Sequence, residues 1–217
     1  MDINEFLYKN ELLFLAEEYD VNFIEECIKE KGKARQRLDE VAENIEKEIK
    51  KAKEELEECK KSISKLKEEA RGSVKAFAET LSNDGIWSTI SSQDEKTKIL
   101  RSFYKHISDI RDGICNLNIM PNTCADIFVM LNTLSKNERI YNLATDEVLS
   151  FTCELSQSVE QLRGEFEATV SSVESVIERI NEYTNKLFCF ADAREKGRNM
   201  RRAEMRALTS AFLLSFE

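Results

Sequence analysis

The sequence predicts an all-α protein, an elongated helical bundle with long antiparallel coiled-coil helices and a shorter helical head. The 217 residues include only six glycines and one proline, which are too few for the turns of an all-β protein. Charged residues make up 34% of the chain and hydrophobic residues 41%, a balance typical of helical and coiled-coil proteins. Apolar residues also recur at alternating steps of three and four along two long stretches, which is the period of a coiled-coil helix.

The overall charge of the chain argues against binding to polyanions. The chain has 32 lysines and arginines against 41 aspartates and glutamates, so its formal net charge is -9. A protein that binds duplex nucleic acid or an anionic membrane through a broad surface is usually basic on that surface. We therefore expect no nucleic-acid partner, and we expect any membrane contact to come from a local patch.

The N-terminal residues and the cysteines predict a soluble, cytoplasmic protein. Residues 1–5 are acidic where a signal peptide is basic, and no small-residue cleavage site follows them. The longest strongly apolar stretch, residues 12–16, is far shorter than the roughly 20 residues that span a bilayer. The six cysteines are widely spaced and form no C-x-x-C pair, which is typical of reduced thiols.

Residues 1–20 predict an N-terminal amphipathic helix. Asp2 and Glu5 have the spacing of a helix N-cap box, and apolar residues at helical spacing follow them. The candidate interaction residues on its apolar face are Phe6, Leu7, Leu13 and Phe14. These side chains would suit docking in the groove of a partner, although we favour their packing against the rest of the chain.

Residues 23–82 predict a long coiled-coil helix, about 90 Å long if it is unbroken. Its predicted seam consists of Ala34, Leu38, Val41, Ile45, Ile49, Ala52, Leu56, Cys59, Ile63, Leu66, Ala70, Val74, Phe77 and Leu81. The steps of three and four alternate except near Val41 and Ala70, where consecutive steps of four predict stutters in the supercoil. Charged residues of both signs flank this narrow seam, so we expect the helix to pair with one or two partners and to be exposed elsewhere.

Residues 83–136 predict shorter helices that form the head. A turn signal at residues 82–85 separates them from the long helix. Apolar steps of three and four predict one helix that ends before the lone Pro121 and a shorter helix after it. We expect a break or bend at residues 135–137.

Residues 137–190 predict a second long coiled-coil helix. Its seam alternates without error through Val148, Thr152, Leu155, Val159, Leu162, Phe166, Thr169, Val173, Val176, Ile180, Tyr183 and Leu187. Two long helices separated by shorter ones suit an antiparallel hairpin closed by a head. Pairing of each long helix with its copy in a dimer remains the alternative, because a periodic seam does not identify its partner.

Residues 191–217 predict a basic and then apolar C-terminal helix. Residues 194–217 carry six basic and three acidic side chains, whereas residues 146–192 carry three basic and ten acidic ones. We therefore expect the tail either to fold back on the preceding helix or to meet an acidic partner. Its candidate interaction residues are Arg198, Arg201, Arg202, Phe212 and Phe216. A basic and apolar segment is also compatible with contact to a membrane surface.

The residues that carry chemistry do not form a recognisable constellation. The single histidine, His106, is interpreted as a surface or boundary side chain, and one histidine is too few for a helical di-iron site. The cysteines are interpreted as small core residues, and no glycine-rich phosphate-binding motif is present in the sequence. We therefore predict no catalytic residues, no cofactor, no metal and no small-molecule substrate.

The functional hypothesis is a non-enzymatic coiled-coil scaffold, adaptor or subunit of a multiprotein assembly. It would act by binding protein partners, or by self-association, through its heptad seams. The alternative is a membrane-associating helical bundle that serves as a curvature or trafficking module, which the acidic balance of the chain disfavours. An enzyme with an unfamiliar helical site is the third possibility.

Overall fold

A computed structural model of the chain describes residues 3–9, 20–82, 93–116 and 121–195, together with positions 207, 209–211 and 214. The helices are α1 (Ile3–Lys9), α2 (Val21–Lys29), α3 (Lys31–Ser82), α4 (Gln93–Cys115), α5 (Pro121–Thr145) and α6 (Phe151–Glu195). These residues contain no β-strand, so the all-α prediction is confirmed.

The stretch predicted as one helix over residues 23–82 is divided at Glu30. The side chain of Asp20 caps α2 by accepting a hydrogen bond of 2.9 Å from the N–H of Asn22. Glu30 then leaves the helical conformation, with φ at -138° and ψ at 69°, and α3 begins at the next residue. Gly32 lies at this junction, where its low helix propensity favours a break.

The chain forms two compact units, each of which contains part of both long helices. Unit 1 comprises Met1–Leu56 and Met120–Phe166, and unit 2 comprises Glu57–Ile119 and Glu167–Glu217. Unit 1 therefore contains α5, whereas unit 2 contains α4. The structure thus assigns the two shorter helices to different units, where the sequence predicted that residues 83–136 form one head.

Helix α5 continues through the break that was predicted at residues 135–137. Leu134 and Ile140, on either side of that segment, are both buried, so burial of the apolar face continues across it. The chain turns instead after Thr145, where Asp146 has a φ of 58°. Asp and Asn adopt this left-handed conformation more readily than most residues, which explains a tight turn here without glycine.

Unit 2 is built around one apolar cluster to which parts of α3, α4 and α6 all contribute. The rings of Phe77 on α3 and Phe103 on α4 are stacked, with centroids 3.9 Å apart. Farther along, Leu66 on α3 lies 3.6 Å from the position that a Cβ atom on Gly113 of α4 would occupy. Because a later residue of α4 meets an earlier residue of α3, these two helices run antiparallel in unit 2.

In unit 1 the first parts of the two long helices lie side by side and run in the same direction. Arg35, near the start of α3, contacts both Glu147 and Phe151 at the start of α6. Farther along, residues 42–53 of α3 and 151–158 of α6 line one groove. In unit 1 the long helices are therefore parallel, where the sequence predicted an antiparallel pair. The reason is that α5 lies between them in the sequence and brings the chain back to the start of α3 before α6 begins.

Most of the predicted seam positions are buried within the single chain. Nine consecutive predicted positions of α6 are buried: Leu155, Val159, Leu162, Phe166, Thr169, Val173, Val176, Ile180 and Tyr183. Val148, the first predicted position, precedes α6 and is 91% exposed. On α3, Ala42 is buried and the predicted Val41 is only half-buried, so the consecutive steps of four fall at Ala34, Leu38 and Ala42, one heptad before the predicted position.

Candidate functional site

A groove of about 360 Å³ lies in unit 1 between the first parts of α3 and α6. The residues that line it are Ala42, Glu46, Ile49, Lys50, Lys53, Phe151, Glu154, Leu155 and Ser158. All of these residues belong to unit 1, so its geometry is set by one compact unit.

The floor of the groove is apolar. Ala42, Ile49 and Leu155 are only 6%, 6% and 7% exposed, and the half-buried ring of Phe151 closes one end. Ala42 is the smallest of these side chains, so it projects least into the groove. An apolar floor between two helices is the geometry that binds the apolar face of a further helix.

The rims of the groove carry charges that are separated along its length. Glu46 on α3 and Glu154 on α6 lie toward the starts of the two helices, whereas Lys50 and Lys53 lie one and two turns farther along α3. All four side chains belong to exposed residues. Along the direction of the two helices, the two carboxylates therefore precede the two lysines.

The two groove lysines differ from the lysines that alternate with them on α3. Lys47 and Lys51 each lie 4.0 Å from a glutamate on the same helix. Within the described part of the chain, Lys50 and Lys53 form no ion pair or hydrogen bond. Their ammonium groups are thus available to a bound carboxylate, whereas those of Lys47 and Lys51 already have one nearby.

Arg35 holds the starts of α3 and α6 together at the end of the groove. Its guanidinium carbon lies 5.3 Å from the centre of the Phe151 ring, and its Nη1 lies 3.8 Å from Oε2 of Glu147. Its Nε donates a hydrogen bond of 3.2 Å to Asp39 on the next turn of α3. The planar guanidinium can make these contacts simultaneously, whereas the ammonium of a lysine lacks the fork geometry.

The start of α6 is capped by a buried carboxylate from α5. Glu138, which is 6% exposed, accepts hydrogen bonds from the N–H groups of Phe151 at 2.9 Å and Thr152 at 3.3 Å, and another from the Thr152 hydroxyl. The first N–H groups of a helix have no partner within the helix, so this carboxylate satisfies two of them and also complements the helix dipole. Phe151 and Glu154 are consequently held at fixed positions beside the groove.

Further side chains of α5 hold the turn that precedes α6. The Asn142 side-chain oxygen accepts a hydrogen bond of 3.1 Å from the N–H of Leu149, and the Tyr141 hydroxyl donates one of 2.9 Å to Glu147. Burial and the adjacent Glu147 carboxylate raise the pKa of Tyr141. The turn is thus fixed by polar contacts, although Val148 at its tip is almost fully exposed.

Helix α2 packs against α5 in unit 1. Phe23 and Cys27 of α2 are completely buried, and burial raises the pKa of Cys27 to about 12. Arg37 of α3 places its guanidinium carbon 5.3 Å from the centre of the Phe23 ring and bonds Glu26 at 3.2 Å. These contacts tie α2 to α3 as well, so the scaffold beneath the groove includes three neighbouring helices.

His106, the only histidine, lies in unit 2 and does not form a catalytic triad. Its Nε2 lies 2.8 Å from Oγ of Ser73 and 3.8 Å from the carboxylate of Glu69. In a triad the carboxylate bonds the ring nitrogen opposite the serine, whereas here both groups approach the same nitrogen. Its neighbours come from α3, which is why spacing along α4 did not identify them.

The described ranges contain neither a cluster of metal ligands nor a membrane-spanning helix. Across residues 3–9, 20–82, 93–116 and 121–195, no group of three or more His, Cys, Asp or Glu side chains is arranged to hold a metal. No helix in those same ranges is both long and apolar enough to cross a bilayer. Of the cysteines, Cys27 and Cys124 are buried, whereas Cys115, Cys153 and Cys189 are exposed, so only part of the set fits the prediction of small core residues.

Leu7 is the one sequence-predicted interaction residue whose side chain the structure describes, and it does not line the groove. Leu7 is 1% exposed, so this residue packs within the chain. The structure does not describe the side chain of Phe6 on α1. The other predicted residues lie outside the described residues: Leu13, Phe14, Arg198, Arg201, Arg202, Phe212 and Phe216. The hydroxyls of Thr209 and Tyr183 lie 2.9 Å apart, which places Thr209 beside α6 within unit 2.

Comparisons of the chain with protein-family models, with curated proteins and with solved structures find no match. The groove and its charges are therefore the observations from which a function can be inferred.

Proposed function

We propose that this protein is a non-enzymatic scaffold or adaptor that binds an amphipathic helix of a protein partner in the groove of unit 1. The observation that carries the proposal is the apolar floor between α3 and α6, bordered by charged side chains that have no ion pair among the described residues. In helix-in-groove recognition, apolar anchors fill such a floor and polar side chains lie along the rim. We further propose a cytoplasmic location, where exposed thiols such as Cys153 stay reduced.

The surface that we propose for partner binding is the groove, where the sequence predicted the heptad seams. The seam residues predicted to mediate association are mostly buried within this one chain, so their apolar area is already removed from water. We therefore propose that the coiled-coil-like seams hold the chain together and that binding uses the groove beside them, where only the edges of the seam residues Ile49 and Leu155 are exposed.

Peptide binding to groove variants tests this function. The probe is a synthetic, fluorescein-labelled amphipathic helix of 18 residues with leucine on one face, whose binding is followed by fluorescence anisotropy. Ser158 is half-buried and lines the groove, so Ser158→Trp fills it and should weaken binding at least tenfold. The matched control is Gln157→Trp, at an exposed neighbouring position outside the groove, which should leave binding unchanged.

Two results would overturn the proposed function. One is an absence of binding by every helical peptide to the folded protein, and the other is binding that both tryptophan variants weaken equally. Tight sedimentation with anionic vesicles at low salt, without peptide binding, would instead favour the membrane-associating alternative.

A further inference from the structure

The partner helix that fits this groove has a defined arrangement of charge, which is an inference that rests on the proposed function. Glu46 and Glu154 lie near the middle of the two segments that line the groove, and Lys50 and Lys53 lie farther along α3. We infer that the groove takes an amphipathic helix with basic residues in its first half and acidic residues in its second half, bound in the same direction as α3 and α6.

Charge complementarity gives the order of these residues in the partner. Carboxylates of the partner would approach the ammonium groups of Lys50 and Lys53, which have no ion pair among the described residues. Basic residues of the partner would approach Glu46 and Glu154, which likewise have no side-chain partner there. Complementary rim charges select among partners and set the register of binding more than they increase affinity.

The helix dipole gives the direction of the partner. The N-terminus of a helix carries a partial positive charge and its C-terminus a partial negative charge. The carboxylates of Glu46 and Glu154 therefore favour the N-terminal end of the partner, and the ammonium groups of Lys50 and Lys53 favour the C-terminal end. The rim charges and the helix dipole therefore favour the same orientation of the partner, because the carboxylates on both helices lie closer to the helix starts than the lysines do.

Three 18-residue peptides with the same leucine face test the charge arrangement. One carries lysines and then glutamates at the flanking positions, one carries only glutamates, and one carries only lysines. The first should bind the native protein about fivefold more tightly than either other peptide at low salt, as expected for a few exposed ion pairs. The preference should shrink as salt is added.

Charge-reversal variants sharpen the test. In the double variant K50E/K53E all four rim charges are negative, so the all-lysine peptide should become the tightest ligand. In E46K/E154K all four are positive, so the all-glutamate peptide should become the tightest. The matched control is K47E/K51E, which makes the same change in net charge on the same helix outside the groove and should leave the order of affinities as in the native protein.

Failure of the charge inference is distinguishable from failure of the proposed function. Equal affinities for the three peptides, with binding still lost in Ser158→Trp, would contradict the charge inference and leave the groove as a binding site. An absence of binding by all three would contradict both. A nitroxide on the N-terminus of the first peptide should broaden amide signals of residues 35–39 more than those of residues 52–56, and the opposite pattern would contradict the inferred direction.

Discussion

Unit 2 encloses an apolar cluster shared by three helices, whereas unit 1 places charged and polar side chains where its helices meet. The unit 2 cluster contains stacked rings of Phe77 and Phe103 and draws aliphatic side chains from α3, α4 and α6. Unit 1 also buries apolar residues, but its junctions are held by Arg35, Arg37 and Glu138. The same two long helices are therefore held in place by apolar packing in unit 2 and by polar and charged contacts at the helix junctions in unit 1.

This difference explains why the candidate site lies in unit 1. Directional contacts at the start of α6 hold it beside α3 without requiring apolar side chains to fill every space between them. A small residue, Ala42, can then remain at the floor of an open groove. In unit 2 the described cluster consists of apolar side chains from all three helices, packed closely against one another.

The largest effect expected is loss of the aromatic pair in unit 2. Phe103 is 8% exposed and stacked on Phe77, so Phe103→Ala removes buried area and leaves a cavity. We expect a decrease of about 3–5 kcal/mol in the free energy of unfolding, measured by urea denaturation. Tyr104→Ala, at a half-exposed neighbouring position, should cost less than about 1 kcal/mol. Equal losses for the two variants would contradict the described cluster.

Removal of the buried cap should have the next largest effect, in unit 1. Glu138→Ala leaves the first N–H groups of α6 without their acceptor, which should cost about 1–3 kcal/mol. Glu138→Gln retains one oxygen acceptor and should cost less. Hydrogen exchange of the Phe151 and Thr152 amides should increase in both variants, whereas the exposed Arg139→Ala should leave it unchanged. Unchanged exchange in Glu138→Ala would exclude the capping role.

Alkaline pH should lower the stability of the chain in part through Cys27. The folded pKa of this thiol is raised from 9.0 to about 12, so above pH 9 the unfolded chain loses the proton while the folded chain retains it. The contribution is present in full below pH 9 and is lost as pH rises from 9 toward 12. Between pH 8.5 and 10 this linkage lowers the free energy of unfolding by about 1 kcal/mol.

Urea denaturation of the native protein and of Cys27→Ala at the two pH values measures this contribution. The decrease between pH 8.5 and 10 should be smaller in the variant by about 1 kcal/mol, because alanine does not titrate. Equal decreases in the two proteins would mean that Cys27 does not have the raised pKa.

The smallest effect concerns the attachment of α2 to α3. Arg37→Ala removes the contact with the Phe23 ring and the bond to Glu26, which should cost about 1 kcal/mol because the guanidinium is partly exposed. Arg37→Lys retains the charge and should recover part of this loss. Hydrogen exchange of the α2 amides should increase in Arg37→Ala. An increase in exchange that is confined to amides of unit 2 would contradict the role of Arg37 in attaching α2 to α3.

The sequence predicted helix content and burial well because both follow from local periodicity. Nine successive seam positions of α6, from Leu155 to Tyr183, are buried as predicted. Val41 was assigned to the seam of α3 because valine is the more apolar choice, yet the neighbouring Ala42 is the buried residue. Either assignment leaves one pair of consecutive steps of four in this part of α3, so spacing alone could not identify Ala42 as the floor of the groove.

Helix direction and the groove could not be obtained from periodicity. A heptad pattern is the same for parallel and antiparallel neighbours, so the direction of α6 depends on where α5 ends. That turn is fixed by contacts between residues 7 to 14 positions apart, such as those of Asn142 and Glu138, and not by a glycine or proline signal. The neighbours of His106 likewise come from α3 and have no signature in α4.

Molar mass in solution tests most directly the central claim that the long seams are filled within one chain. Light scattering coupled to size exclusion should give a mass near the 25.1 kDa of a single chain, over a wide range of protein concentration and for both the native protein and Ser158→Trp. A mass near two chains that persists in Ser158→Trp, and that falls only when the protein unfolds, would mean that a second copy fills the seams and would contradict the account.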